Sequence, residues 1–192
     1  TDYLKHCKKV ANHCDSMPVS LEVLADSKDD MIRQARLLKE LGKNINIKIP
    51  ITYTNGETTL PVIQALVEEN TKLNITAIFT KEQVEGIVSC LKNSGAIISV
   101  FSGRIFDIGY DAVKVTQEIA KIVHGESNCS VLWASPRMVY DVKNAHQAEC
   151  DIITMRPDLI KKLALFNKSP EEFSMETVKM FFHDAVSSAY TL

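Results

Sequence analysis

No apolar run in this 192-residue sequence approaches the ~20 residues of a membrane-spanning helix, and its first residues lack the basic-then-apolar order of a signal peptide. A cytoplasmic location is the expectation. No basic block offsets the net charge of −2, which argues against nucleic acid or an anionic membrane surface as the main partner. Any anion must therefore be held locally. Cys7, Cys14, Cys90, Cys129 and Cys150 form no CxxC pair and read as reduced thiols, not a disulfide framework or zinc site. The five histidines show no HxH or HExxH spacing, and Gly103 and Gly109 do not build a GxGxxG loop. Neither a metal nor a nucleotide cofactor is expected. No stretch rich in Gly, Pro or Ser divides the chain, so residues 1–192 are expected to form one domain.

What is present is an alternation of helical and strand periodicities. Helices are predicted over residues 2–13, 27–41, 58–70, 81–94, 110–124, 138–149, 158–166 and 174–189. Strands are predicted over 19–25, 45–51, 73–79, 96–102, 129–135 and 151–155. Ser27 is a candidate N-cap and Gly42 a helix stop. These make six βα units, whereas a (β/α)8 barrel needs eight and usually about 250 residues. The expectation is an α/β barrel whose first two strands, with one helix, lie before Thr1.

Lys48 is the residue that points to chemistry. Strand side chains alternate between faces, so Ile45, Ile47 and Ile49 share one side of their strand and Asn46, Lys48 and Pro50 the other. By the same parity Glu22 opposes Leu21 and Val23, Asn74 and Thr76 oppose Leu73, Ile75, Ala77 and Phe79, and Ser135 shares a face with Trp133. One face is apolar enough to pack on helices, while the other gathers acid, amine, amide and hydroxyl groups. A doubly covered open sheet gives nearly continuous apolar strands instead. The pattern fits the interior mouth of a closed barrel. A buried ammonium is costly, so a lysine there tends towards the neutral, nucleophilic amine.

Ile47-Lys48-Ile49-Pro50-Ile51-Thr52, Asn74-Ile75-Thr76-Ala77-Ile78-Phe79, Ser99-Val100-Phe101-Ser102-Gly103-Arg104-Ile105 and Ala134-Ser135-Pro136-Arg137 resemble, in order and spacing, the successive strand motifs of transaldolases. The small transaldolase and fructose-6-phosphate aldolase group is nearest in size, and the resemblance runs from about Val19 to the end. It implies a barrel enzyme that holds a ketose phosphate as a Schiff base on Lys48, with the protonated imine as electron sink and no cofactor. By resemblance Glu22, with a water that Thr76 also holds, shuttles protons between carbinolamine and imine. Asn74, Ser99, Phe101 and Ser135 line the substrate, and Arg104 and Arg137 grip its phosphate. The family's first-strand aspartate and second-strand asparagine have no counterpart here, so this polypeptide alone is expected to be inactive or unfolded. Glu22 and Phe101 match the transaldolase pattern, where the aldolases carry Gln and Tyr. A pentose phosphate pathway transaldolase is the leading expectation. A simple aldolase releasing dihydroxyacetone and an inactive sugar-phosphate-binding barrel are the alternatives.

Each of these residues also has a plainer reading. Glu22 is a salt-bridge partner for Lys48, Asn74, Thr76 and Ser99 satisfy internal hydrogen bonds, Phe101 and Trp133 shape the pocket by packing, and Arg104 and Arg137 pair with Asp107 or Asp141. The C-terminal helix carries an apolar stripe at Val178, Phe181, Phe182 and Ala185. It either folds back on its own barrel or, as the resemblance implies, reaches a neighbouring subunit in a homo-oligomer.

Overall fold

The computed structural model describes residues 2–188, and the chain divides into two compact units, Thr1–Met155 and Arg156–Leu192. In the first unit the elements run α1 (Tyr3–Cys14), β1 (Val19–Glu22), α2 (Lys28–Lys39), β2 (Ile45–Pro50), α3 (Leu60–Glu68), β3 (Leu73–Ile78) and α4 (Lys81–Glu85). A 3-10 turn (Val88–Leu91) leads to β4 (Ile97–Val100), α5 (Ser102–Asp107), α6 (Ala112–Glu126), β5 (Ser130–Trp133), α7 (Asp141–Gln147) and β6 (Ile152–Ile153).

All six strands are parallel and lie in chain order, β1-β2-β3-β4-β5-β6. Sequential order with a helix after each strand curls the sheet one way, and the result is a partial (β/α)8 barrel with β1 and β6 at its edges. The burial alternates as the pattern requires. Ile45, Ile47 and Ile49 are sealed against the helix layer, while Asn46, Lys48 and Pro50 stay partly open on the concave face.

Helix starts obey local chemistry. The Asp2 side chain accepts from the Lys5 amide to cap α1, Asp111 does the same for α6 through Lys114, and Thr80 with Gln83 forms a capping box on α4. Ser27 stands at the N-cap position of α2, but its hydroxyl donates to Asp30 instead of capping the backbone.

Several predicted elements differ. The helix over 81–94 stops at Glu85, where Gly86 is the C-cap, and resumes as the 3-10 turn. The strand over 96–102 ends at Val100, and Ser102–Asp107 forms a short helix that the periodicity misses. The helix over 138–149 begins only at Asp141, whose carboxylate accepts from the Arg137 and Met138 amides and holds a turn ahead of it.

The second unit holds α8 (Pro157–Lys162), a 3-10 turn (Leu163–Leu165) and α9 (Pro170–Ser188). The predicted helix over 174–189 thus starts a turn earlier, and Ala189 lies outside the described residues. Lys168 Nζ binds the Glu176 carboxylate at 2.6 and 2.7 Å, and Val178, Phe181 and Phe182 of α9 are exposed.

Candidate active site

The concave face of the sheet encloses a cavity of about 540 Å³. It is lined by Ser20, Asn46, Lys48, Asn74, Ser99, Phe101, Ala134, Ser135 and Thr154, with Ile97, Leu132 and Ile152 among them. A larger cavity of about 930 Å³, lined by Lys43, Asn44, Lys72 and Gly95, lies where strands begin. Parallel barrels build reactive sites at the carboxyl ends of the strands. The smaller cavity, which holds Lys48, is the candidate.

Register brings the polar residues together. Glu22 lies beside Lys48 on β1, and Asn74 beside it on β3. Lys48 Nζ stands 3.8 Å from Glu22 Oε2, an ion-pair separation beyond direct hydrogen bonding. The sequence reading places this amine in a dry interior. Here its side chain keeps 27% exposure, and that of Glu22 43%.

Below the lysine runs a fixed polar chain. Ser99 Oγ donates to Asn74 Oδ1 at 2.7 Å, and Asn74 Nδ2 donates to Ser20 Oγ at 2.9 Å, crossing β2 to reach β1. Both ends of the amide are thereby committed and its orientation is set. Thr76 Oγ1 is buried without a hydrogen-bond partner.

Two residues break the strand parity. Ala77 has φ 59°, and the β3–β4 register shifts between Ile75 and Ile78. Ile78 is consequently sealed in the core, and Phe79 packs against Phe101 with the rings tilted by 42° and centroids 5.9 Å apart. Ser135 has φ 58°, which turns its side chain into the cavity, whereas Trp133 is fully buried and packs on Phe106. Trp133 therefore packs away from the pocket that the sequence reading has it shape. Such left-handed conformations in non-glycine residues cost of order 1–3 kcal/mol and concentrate at functional sites.

Gly103 explains how Ser135 is held. A Cβ at Gly103 would come within 1.6 Å of the Ser135 carbonyl oxygen, so only glycine permits α5 to approach the loop after β5. That approach also brings the arginines near. Arg104 lies 5.1 Å from the Phe101 centroid, and Lys48 Nζ 5.8 Å from it. Arg137 points its Nε and Nη2 at the Asp107 carboxylate, one of the plainer readings of this residue. The Arg137 guanidinium holds Asp107 below the usual carboxylate range. Neither arginine, nor Glu22, nor Thr76, lines the cavity itself.

Ser20 lines the cavity, and Phe79 packs on its Phe101, without either having been singled out from sequence. Ser20 carried a weak signal, its parity with Glu22. Phe79 packs against the core, the side that simple alternation gives it. Among the described residues no group of three or more His, Cys, Asp or Glu side chains is arranged to hold a metal ion, and no helix is long and apolar enough to cross a membrane.

A family model described as Transaldolase/Fructose-6-phosphate aldolase matches residues 2–190. A protein of Paracoccus denitrificans named "probable transaldolase" is 30% identical over 182 residues, spanning 93% of this chain and 80% of that protein. One of the same name from Parvibaculum lavamentivorans is 33% identical over 167 residues, 84% of this chain and 73% of that protein. One from Thermoanaerobacter is 31% identical over 155 residues, 80% and 68%. Among solved structures, a mandelate oxidase mutant with a monooxide FMN adduct aligns at TM-score 0.53 and 16% identity, over 77% of this chain and half of that one. That likeness bears on the fold alone.

Proposed function

Because the chain belongs to the Transaldolase/Fructose-6-phosphate aldolase family, we propose that it moves a dihydroxyacetone unit from a ketose phosphate to an aldose phosphate through a Schiff base on Lys48. Fructose 6-phosphate and sedoheptulose 7-phosphate are the donors this reading favours. The observation that carries it is the pairing of Lys48 with Glu22 at 3.8 Å above the Ser20–Asn74–Ser99 chain, on the concave face of the sheet.

In this reading the Lys48 amine attacks the ketone carbon, and Glu22 passes a proton to the departing hydroxyl, so that water leaves and the imine forms. A water shared by Glu22 and the Thr76 hydroxyl carries that proton across the gap. The C4 hydroxyl then gives up its proton to a base, the role of the first-strand aspartate in the family, and the bond between C3 and C4 breaks. Its electron pair moves into the protonated imine to give an enamine, and the aldose phosphate departs. A second aldose phosphate accepts the enamine carbon, and hydrolysis frees Lys48. Asn74 and Ser135 orient the bound hydroxyls. Arg104 and Arg137 serve the phosphate, whose oxygens match a guanidinium fork. Phe101 supports transfer over release of free dihydroxyacetone. Its ring has no hydroxyl with which to protonate the enamine.

The reading extends to a cytoplasmic, single-barrel protein that assembles with copies of itself through the exposed Phe181 and Phe182 of α9. Light scattering that returns a monomer removes the assembly. Borohydride reduction in the presence of fructose 6-phosphate, followed by peptide mass analysis, tests the chemistry. A stable adduct is expected on Lys48 and is lost in Lys48→Ala, which keeps its fold because the side chain is already partly exposed. An adduct on another lysine, or none from folded protein that binds the sugar, refutes the assignment.

A further inference from the structure

The loop after β5 carries Ser135 and Arg137, and it is fastened at two separate points. Its start is held by α5, where Gly103 packs on the Ser135 carbonyl and the Gly103 amide donates to the Ala134 carbonyl at 3.2 Å. Its far end is held by Asp141. Oδ2 of that carboxylate accepts from the Arg137 amide at 2.6 Å and from the Met138 amide at 3.0 Å, while Oδ1 accepts from Asn144 Nδ2 at 3.0 Å. Asp141 is fully buried. A carboxylate is costly to bury and is retained where several donors converge on it. Helix capping does not account for this one. A cap accepts from amides two or three residues further on, inside the helix it starts, whereas Asp141, the first residue of α7, accepts from amides three and four residues behind it. Its bonds order the loop, not the helix.

We infer that Asp141 is a positioning residue for Arg137: its buried carboxylate fixes the main chain from which the guanidinium reaches a substrate phosphate. The sequence offers Asp141 as a partner for the guanidinium, but the structure gives it the Arg137 amide and leaves the guanidinium to Asp107. The Arg137 side chain is long and 43% exposed. Fixing its base before a substrate arrives lessens the ordering that binding must otherwise impose. Gly103 holds the start of the loop independently, so release of the far end moves Arg137 and leaves Ser135 and Lys48 where they are. The effect of Asp141 is therefore confined to phosphate affinity. Its sign is distinctive. Removing a negative charge near an anion site tightens the anion by Coulomb's law alone, whereas removing a positioning group weakens it.

The inference rests on the proposed phosphate role of Arg137, and the experiment separates the two. Asp141→Leu keeps the approximate size of the side chain and removes both acceptor oxygens. The expected result is a rise of about tenfold in KM for fructose 6-phosphate with kcat little changed, the signature of lost ground-state binding. The Kd of inorganic phosphate should rise in parallel, while borohydride trapping of unphosphorylated dihydroxyacetone on Lys48 stays at the wild-type level. Arg137→Ala is measured beside it, and the double variant should bind phosphate no more weakly than Arg137→Ala alone. If Arg137→Ala leaves KM and Kd unchanged, the phosphate reading of Arg137 fails and the inference falls with it. Should Arg137→Ala weaken phosphate while folded Asp141→Leu binds it as well as wild type or better, or the two losses multiply in the double variant, Asp141 does not act through Arg137. Loss of kcat and of dihydroxyacetone trapping in Asp141→Leu would mark a general structural role and overturn the inference as well. If Asp141→Leu does not fold, Asp141→Ser, polar but too short to reach both amides, is judged by the same outcomes.

Discussion

Replacing Gly103 with alanine is the sharpest single perturbation the structure offers, because its outcome is set by main-chain distances. The new Cβ would lie 1.6 Å from the Ser135 carbonyl oxygen and 2.6 Å from its carbonyl carbon. Non-bonded carbon contacts settle near ~3.5–4.0 Å, so α5 and the loop after β5 must part by roughly 1.5–2 Å. Both partners are backbone, and no rotamer change relieves the clash. Overpacking of this kind costs about 1–3 kcal/mol, and at roughly 2–4 °C per kcal/mol for a chain of this size the melting midpoint should fall by about 2–12 °C. The displaced loop carries Ser135 and Arg137, and α5 carries Arg104. A misplacement of ~1 Å is enough to cost ~100-fold in rate, so transfer from fructose 6-phosphate should drop by at least that factor.

Gly125, in the last turn of α6, is the control. A Cβ there meets nothing within 4 Å, and Gly125→Ala should gain up to ~1 kcal/mol from helix propensity alone. The measurements are a thermal melt and steady-state turnover on both variants. Wild-type stability and turnover in Gly103→Ala would refute the claim that this contact holds the site in shape.

Two further predictions concern charge. Asp26 accepts from both the Thr54 hydroxyl and the Thr54 amide, and these bonds hold its carboxyl below the usual range. A carboxylate with a depressed folded pKa contributes stability that is complete above its unfolded value of ~3.9 and is lost as pH falls through the folded value. Protection of the Thr54 amide from hydrogen exchange should therefore persist to about pH 4 and fail below it, and Asp26→Asn should remove that pH dependence. Asp107→Asn breaks a half-exposed pair with Arg137, so stability should change little. If Arg137 serves the substrate phosphate, releasing it should lower KM for fructose 6-phosphate several-fold. An unchanged KM assigns the arginine to Asp107 alone.

How much of the site can be read from sequence depends on the backbone at each residue. β2 is regular, so the alternation of isoleucines against Asn46 and Lys48 gives both the apolar face and the lysine's direction. Asn74 and Glu22 lie next to Lys48 in register and are equally readable. Parity fails where the backbone leaves the strand region. Ala77 and Ser135 adopt left-handed φ, although neither is a residue type that advertises it. The turn at Ala77 reverses the facing of Ile78, and the turn at Ser135 separates its side chain from that of Trp133. Trp133 is misread for that reason alone. The pairing of Arg137 with Asp107 spans 30 residues, a distance over which periodicity carries no information. Local pattern thus locates the nucleophile, while long-range contacts decide how closely its partners are held. The contact of Gly103 with Ser135 is where a conservative substitution should cost most in turnover.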